Sequence, residues 1–171
     1  IERLDNQDTK GAPEEEDGVF RCWNPEKLLA VTEETRKNCD FLVVYIHWGM
    51  ENVAEADWAQ LDQAPKIAQA GADLIIGDHP HCLQGIQYFG ETPVFYSLGN
   101  FWFNSKTLDT CLLKVTLTNS RVESMTFIPA VQSGCYTSLA EGEEGQRVIS
   151  YMNSLSTGVF IGSDGSISRQ E

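Results

Sequence analysis

The first half of the chain alternates between short apolar runs and segments with helical spacing. Residues 41–46 (FLVVYI) and 74–77 (LIIG) are continuously apolar and rich in β-branched residues, which predicts strands buried on both faces. Between them, residues 57–70 carry apolar side chains at helical spacing with Pro65 inside. This predicts a kinked helix or two short helices that end at Gly71. A strand, a helix and a second strand in this order predict a βαβ unit with parallel strands.

The remaining segments predict one helix before this unit and mainly antiparallel strands after it. A helix is expected from residue 24 to near Asn38, with Asn24 as the N-cap and Pro25 in the first helical position. After Gln84, short β-prone runs alternate with turn residues. They predict hairpins that turn at Gly90-Glu91 and Asn119-Ser120, a helix over residues 144–156, and a closing turn at Asp164-Gly165. The predicted fold class is therefore α/β, parallel first and antiparallel later.

Length and charge narrow the possible functions. The chain of 171 residues is long enough for one domain, taken as residues 1–171. Its net charge of −13 argues against nucleic acid as a partner, because the sequence has no basic cluster to contact phosphates. Residues 1–23 are an acidic region that is expected to be a solvated loop, with a metal-attracting patch as the alternative. No apolar run approaches the roughly 20 residues that cross a bilayer.

The five cysteines are an odd number without CxxC spacing. This pattern predicts reduced, buried thiols and argues against a zinc knuckle or a disulfide framework. Cys82 lies beside His81 in the sequence and is the one cysteine that is a candidate metal neighbour.

All three histidines lie just beyond an apolar run, and this is the main functional signal. His47 follows the first run, and His79 and His81 follow the second with Pro80 between them. A residue before proline favours extended backbone, in which residues two apart point the same way. His79 and His81 are therefore expected to aim both rings at one metal, or at two metals roughly 3.5–4 Å apart. His47 is expected to join them, because sites in parallel sheets lie beyond the carboxyl ends of strands. The alternative for each is a hydrogen-bonded surface histidine.

Three motifs resemble those of a known bacterial family. They are HWGME at 47–51, GADLIIGDHPHCLQG at 71–85 and YSLGNFWF at 96–103, and they occur in the family's order. The chain resembles the CapA family of capsule-synthesis proteins, which is associated with poly-γ-glutamate biosynthesis. The domain of that family is similar to the calcineurin-like metallophosphoesterases. The resemblance extends from about residue 24 to the end of the chain, where the segment at 150–165 resembles the family's closing segment.

The resemblance implies a fold and a metal site. The implied fold is a metallophosphoesterase-like β core flanked by helices (α/β/β/α), with a two-metal site at the strand ends. The implied metal ligands are His47, His79 and His81, and the implied cofactors are divalent ions (Mn, Fe or Zn), two in the complete protein. Asp78 is assigned no ligand role. The resemblance also implies action at the bacterial cell surface, with capsule-synthesis membrane proteins or the polymer as partners.

The sequence departs from the family pattern in its first part. It lacks the early Gly-Asp element and the Asn-Asn-His-type element, which supply the bridging carboxylate and the remaining ligands. We therefore expect the chain to be the carboxy-terminal portion of a CapA-like domain. Three neutral imidazoles bind one metal weakly and a pair hardly at all, so the chain alone is expected to be inactive. Missing strands would also expose a sheet edge, which is expected to support self-association or to bind a partner chain.

Two polar residues near the histidine motifs complete the candidate site. Glu51 is predicted to be a general acid or base, or an acceptor for a ligand, with an exposed helix-start carboxylate as the alternative. Asn100 is predicted to orient a substrate or a water molecule, with a turn-forming role as the alternative. The aromatic residues Trp48, Trp102 and Phe103 are interpreted as walls and core in preference to substrate platforms.

Two functions are compatible with these residues. The first is a metal-dependent, phosphoesterase-like enzyme domain in capsule or cell-envelope polymer metabolism, in which two divalent ions activate a water and bind a phosphoryl or acyl oxygen. The second is a non-catalytic assembly or binding subunit of a polymer-synthesis complex that retains the fold. The histidines favour the enzyme.

Overall fold

The computed structural model describes residues 20, 25–103 and 105–170. The predicted N-cap Asn24 and the acidic region 1–23, apart from Phe20, lie outside these residues. The helices are α1 (Pro25–Arg36), α2 (Trp58–Gln69) and α3 (Gly142–Leu155). The strands are β1 (Val43–His47), β2 (Leu74–Asp78), β3 (Leu83–Phe89), β4 (Thr92–Leu98), β5 (Leu108–Thr118), β6 (Arg121–Ser133), β7 (Tyr136–Leu139), β8 (Val159–Ile161) and β9 (Ile167–Arg169).

β1, α2 and β2 form the βαβ unit that the sequence predicts. β1 and β2 pair in parallel, and their last residues, His47 and Asp78, lie opposite each other. β4 pairs in parallel with the other side of β2, and β3 pairs antiparallel with β4, so the strand order is β1-β2-β4-β3. Because parallel strands end at the same edge of the sheet, the residues that follow β1 and β2 are brought together there.

The prediction that β1 is buried on both faces is wrong. Val44 and Ile46 are buried against the helices, whereas Val43 and Tyr45, which point the other way, are 45% and 53% exposed. In the part of the chain that the structure describes, β1 is the end strand of its sheet and pairs only with β2. Its second face is therefore left without the cover that a central strand receives.

α2 begins with a complete capping box and runs as one helix. The Asp57 side chain accepts hydrogen bonds from the backbone N–H groups of Ala59 and Gln60, and the Gln60 side chain accepts one from the backbone N–H of Asp57. Pro65 lies inside this single helix, so the alternative of two short helices is wrong. Gly71 has a φ of 111° and follows the helix end, as predicted.

A second, antiparallel sheet (β5-β6-β7) packs against the first, and β8 and β9 form a small separate pair. One core cluster, which includes Leu28 and Ile67, joins α1 and α2 to the first sheet. The other, which includes Phe95, Phe127 and Met152, joins both sheets to α3. The predicted α/β class is confirmed, while its metallophosphoesterase-like version stays a prediction. Among the described helices, none has the length and apolar character needed to span a membrane.

The predicted turns are confirmed. β3 and β4 form a hairpin around Gly90-Glu91, and β5 and β6 form another around Asn119-Ser120. Asn119 and Ser120 both have positive φ values, 50° and 58°, as in the turns that join tightly twisted strands.

The prediction for the cysteines is half right. Cys39, Cys82, Cys111 and Cys135 form no disulfide. Only Cys111 among these is fully buried, and Cys135 is exposed in the turn between β6 and β7. Cys22 lies outside the described residues.

Candidate metal centre

The three predicted histidines lie close together at the carboxyl ends of β1 and β2. The ring centroids of His47 and His79 are 4.5 Å apart, and those of His79 and His81 are 5.8 Å apart. The predicted extended backbone is wrong, because His79 and His81 have φ values of 97° and 58°. Non-glycine residues adopt such values at a cost of order 1–3 kcal/mol, and outside turns residues with this strain cluster at functional sites. A left-handed backbone on both sides of Pro80, and not strand alternation, brings these rings together.

A chain of close polar contacts joins Tyr45, Asp78, His47 and His79. The Tyr45 hydroxyl donates to Asp78 Oδ2 at 2.8 Å, and His47 Nδ1 lies 2.7 Å from Asp78 Oδ1. His47 Nε2 lies 2.8 Å from His79 Nδ1. A carboxylate only accepts, so the proton of neutral His47 is on Nδ1. Its Nε2 then accepts from His79 Nδ1–H, which leaves Nε2 of His79 with the free lone pair.

The pKa shifts agree with this proton arrangement. Burial would raise the pKa of Asp78, but hydrogen bonds from His47 and Tyr45 outweigh it and leave that pKa below its usual value. The pKa of His79 is lowered, first by burial and then by repulsion from His47. Burial, together with the hydrogen bond to Asp78, raises the pKa of Tyr45 to about 12. At neutral pH, Asp78 is therefore a carboxylate and His79 a neutral imidazole.

Asn100 orients the third histidine. His81 Nδ1 lies 2.8 Å from Asn100 Oδ1, and the His81 ring stacks on Phe103 with the centroids 4.4 Å apart. In this orientation of the amide, the His81 proton is on Nδ1 and the lone pair is on Nε2. Asn100 is 7% exposed, and its Nδ2 has no hydrogen-bond partner among the described residues. The amide therefore has a donor left for a ligand or a water molecule.

Glu51 completes the group of atoms that could hold a metal. A carboxylate oxygen of Glu51 and one ring nitrogen each from His79 and His81 lie within 4.8 Å of one another. His47 is not part of that group, although its Nε2 lies 2.8 Å from His79 Nδ1. The ligand roles of the three histidines, and the catalytic roles of Glu51 and Asn100, stay predictions.

Gln84 is a residue of this site that the sequence analysis missed. It is fully buried, and its Nε2 donates to the backbone oxygens of Val53 (2.8 Å) and Glu55 (3.2 Å), in the loop that carries Glu51. Its Oε1 accepts from Gln60 Nε2 at 2.8 Å. This network ties the Glu51 loop to β3. The signal available in the sequence is an amide side chain inside an otherwise apolar strand.

The aromatic residues divide into core and cavity wall. Trp48 is fully buried, and its indole N–H donates to the backbone oxygen of Tyr96 at 3.0 Å. Gly77 permits this contact, since a Cβ there would lie 2.2 Å from both of those atoms. Trp102 and Phe103 are 73% and 61% exposed and line a cavity of about 540 Å³ together with the histidines and Asn100. Trp48 is thus core, as interpreted, and the other two are walls.

The parallel strands β1 and β2 end in a histidine and an aspartate, and a His-Pro-His loop and a carboxylate lie next to them. These features define an α/β protein with a candidate metal centre. The family model described as bacterial capsule synthesis protein PGA_cap matches residues 2–105, which is more than half of the chain. The chain belongs to this family, so the predicted resemblance is confirmed. The match begins before residue 24, where the motif resemblance begins, and it ends before β5.

Two relatives carry names from the same process. The chain is 38% identical over 97 residues to the PGA biosynthesis protein CapA of Bacillus subtilis (strain 168). The aligned residues make up 55% of the chain and 26% of that protein. The chain is 34% identical over 119 residues to the capsule biosynthesis protein CapA of Bacillus anthracis, which covers 65% of the chain and 29% of that protein. The chain thus spans less than a third of the length of these relatives.

Proposed function

We propose that this chain is the metal-binding part of a phosphoesterase-like hydrolase that acts in the biosynthesis of a capsule or poly-γ-glutamate polymer. The observation that carries the proposal is the approach of Glu51, His79 and His81 to within 4.8 Å of one another, at the carboxyl ends of parallel strands. Two imidazole nitrogens and a carboxylate oxygen are donors that suit Zn, Mn or Fe. The names of the two CapA relatives supply the polymer class.

The residues of the chain have distinct tasks in this proposal. The chemistry that bound divalent ions supply is activation of a water and neutralisation of charge on a phosphoryl or acyl oxygen. His79 and His81 present lone pairs that their hydrogen bonds to His47 and Asn100 leave available. Nδ2 of Asn100, which has no hydrogen-bond partner among the described residues, can donate to a substrate oxygen. Glu51 adds a carboxylate, which can hold either a proton or a cation.

The second candidate is a non-catalytic subunit of a polymer-synthesis complex. It is favoured by the donor group itself, which contains one carboxylate. Two dications about 3.5–4 Å apart repel each other and need several anionic ligands, so these residues alone do not suit a metal pair. In both versions the protein acts at the bacterial cell surface with capsule-synthesis membrane proteins or the polymer. The side of β1 that no described strand covers is then a place where a further strand can add.

A phosphodiesterase assay separates the two candidates. The complete protein and the 171-residue chain are loaded with Mn²⁺, Fe²⁺ or Zn²⁺ and mixed with bis-p-nitrophenyl phosphate. We expect metal-dependent turnover by the complete protein, its loss in His79→Asn and His81→Asn, and no turnover by the chain alone. Glu55→Gln, a change of an exposed acid in the same loop, is the control and should leave the rate unchanged. A complete protein that binds metal without any turnover would favour the subunit.

A further inference from the structure

We infer that Glu51, His79 and His81 form a centre for a single divalent metal ion, with His47 outside the coordination shell as a positioning residue. The inference shares with the proposed function the premise that a metal is bound, and it makes no use of turnover. It replaces the predicted set of three histidines by two histidines and a carboxylate, and it replaces the predicted acid–base role of Glu51 by a ligand role.

Hydrogen bonds determine which ring nitrogens are available. His47 has Nδ1 at 2.7 Å from Asp78 and Nε2 at 2.8 Å from His79, so ligation by His47 would require it to give up one of these contacts. His79 and His81 each use Nδ1 and retain Nε2. An N–H held by an acceptor fixes the ring orientation and increases the basicity of the opposite nitrogen, as is usual for metal-bound histidines. His47 and Asn100 provide these acceptors.

The distances permit a three-ligand centre after a small adjustment. Ligands bonded to a tetrahedral zinc at about 2.0–2.1 Å lie roughly 3.4 Å from one another. One oxygen of Glu51 and one ring nitrogen each of His79 and His81 are already within 4.8 Å of one another, so no gap between them has to close by more than about 1.4 Å. Glu51 is exposed and can make this movement by side-chain rotation. The loop that carries it is anchored to Gln84 through two backbone oxygens, so the side chain of Glu51 and not the loop backbone makes this movement.

Charge limits the centre to one ion. Glu51 is the one carboxylate in the donor group, and it offsets half of the charge of a divalent cation. The nearby carboxylate, Asp78, has one oxygen on the Tyr45 hydroxyl and the other on His47. A second dication roughly 3.5–4 Å away would therefore have no carboxylate of its own in the donor group that the described residues form.

Cobalt titration of the 171-residue chain tests the ligand set. We expect one Co²⁺ per chain, followed by its visible absorption, with binding weakened more than about 100-fold in Glu51→Gln and unchanged in Glu55→Gln. Loss of an outer hydrogen-bonding partner typically weakens metal binding about 10–100-fold, and we expect this smaller effect for His47→Gln. The two glutamate variants remove the same charge from the same exposed loop, so they separate ligation from general electrostatics.

Electron spin-echo envelope modulation of the Cu²⁺-loaded chain counts bound imidazoles independently of affinity. We expect two in the wild type, two in His47→Gln and in Asp78→Asn, and one in His79→Gln. Three imidazoles in the wild type that fall to two in His47→Gln would overturn the inference, as would equal Co²⁺ affinity in the two glutamate variants or a stoichiometry of two. Absence of Co²⁺ binding by the chain would overturn it as well. A complete protein without turnover would refute only the proposed hydrolase.

Discussion

Replacing Gln84 with leucine should destabilise the protein and loosen the loop that carries Glu51. The substitution removes two hydrogen bonds to the backbone oxygens of Val53 and Glu55, and a third from the side chain of Gln60. Gln60 is itself fully buried, so its Nε2 would keep only a contact of 3.5 Å with the backbone oxygen of Tyr96. Leucine is similar in size to glutamine, and the change therefore tests the polar contacts more than the packing.

The magnitude follows from the fate of each lost partner. A hydrogen bond contributes about 0.5–1.5 kcal/mol net, and a buried donor left without a partner costs about 1–3 kcal/mol. The two loop carbonyls can bond to water, whereas the Gln60 amide cannot, and the leucine side chain gains some apolar burial. We expect the free energy of unfolding to fall by about 2–4 kcal/mol. For a protein of this size, that is a decrease in Tm of roughly 4–16 °C.

Urea unfolding followed by tryptophan fluorescence measures the change in stability, and Co²⁺ titration measures the effect on the site. Gln63→Leu is the matched control, because Gln63 is 9% exposed and its Oε1 has no partner among the described residues. Removing an unsatisfied group should be close to neutral or stabilising. If Gln84→Leu is as stable as Gln63→Leu and binds Co²⁺ like the wild type, the network does not position the loop.

Three further predictions concern other parts of the chain. Gly77→Ala should strongly lower the Tm, because its methyl group would lie 2.2 Å from an indole nitrogen and a backbone oxygen. The control is Gly90→Ala, which has open space but a φ of 60° and should lower the free energy of unfolding by only about 1–2 kcal/mol. In thiol labelling with DTNB, exposed Cys135 should react at once and Cys111, whose pKa burial raises to about 12, only after unfolding; equal rates would contradict this burial. The pKa of Tyr45 is raised to about 12, so its stabilising contribution is complete below pH 10 and is lost as the pH rises towards 12. Burial also raises the pKa of Tyr96 to about 12, so absorbance titration should show the late ionisation fall by one tyrosine in Tyr45→Phe, and ionisation of Tyr45 near pH 10 would refute it.

Local patterns were sufficient to predict most of the secondary structure. The order of β1, α2 and β2, their parallel pairing and both hairpin turns follow from apolar periodicity and turn residues. These features depend on neighbours within a few positions, which the sequence displays directly. The extent of burial of β1 cannot be predicted from such neighbours, because it depends on which strands occupy the edge of the sheet.

The candidate site was predicted in its residues but not in its geometry. Placement of the histidines beyond the apolar runs indicated that His47, His79 and His81 would meet, and they do. The left-handed backbone at His79 and His81 was not predictable from the preference of residues before proline, because tertiary contacts overrode that preference. The part played by Gln84 was missed, since its partners are about thirty residues away in the chain.

The sequence by itself determined the strands, the helices and the edge of the sheet at which the polar residues collect, because these depend on periodicity and on the direction of parallel strands. Only the tertiary structure decided which atoms of those residues are available. His47 and His79 are 32 residues apart, and the contact between their rings engages Nε2 of His47, while its Nδ1 lies against Asp78. Contacts of this kind form between folded segments, and among the described residues the group of close donor atoms contains Glu51 and not His47.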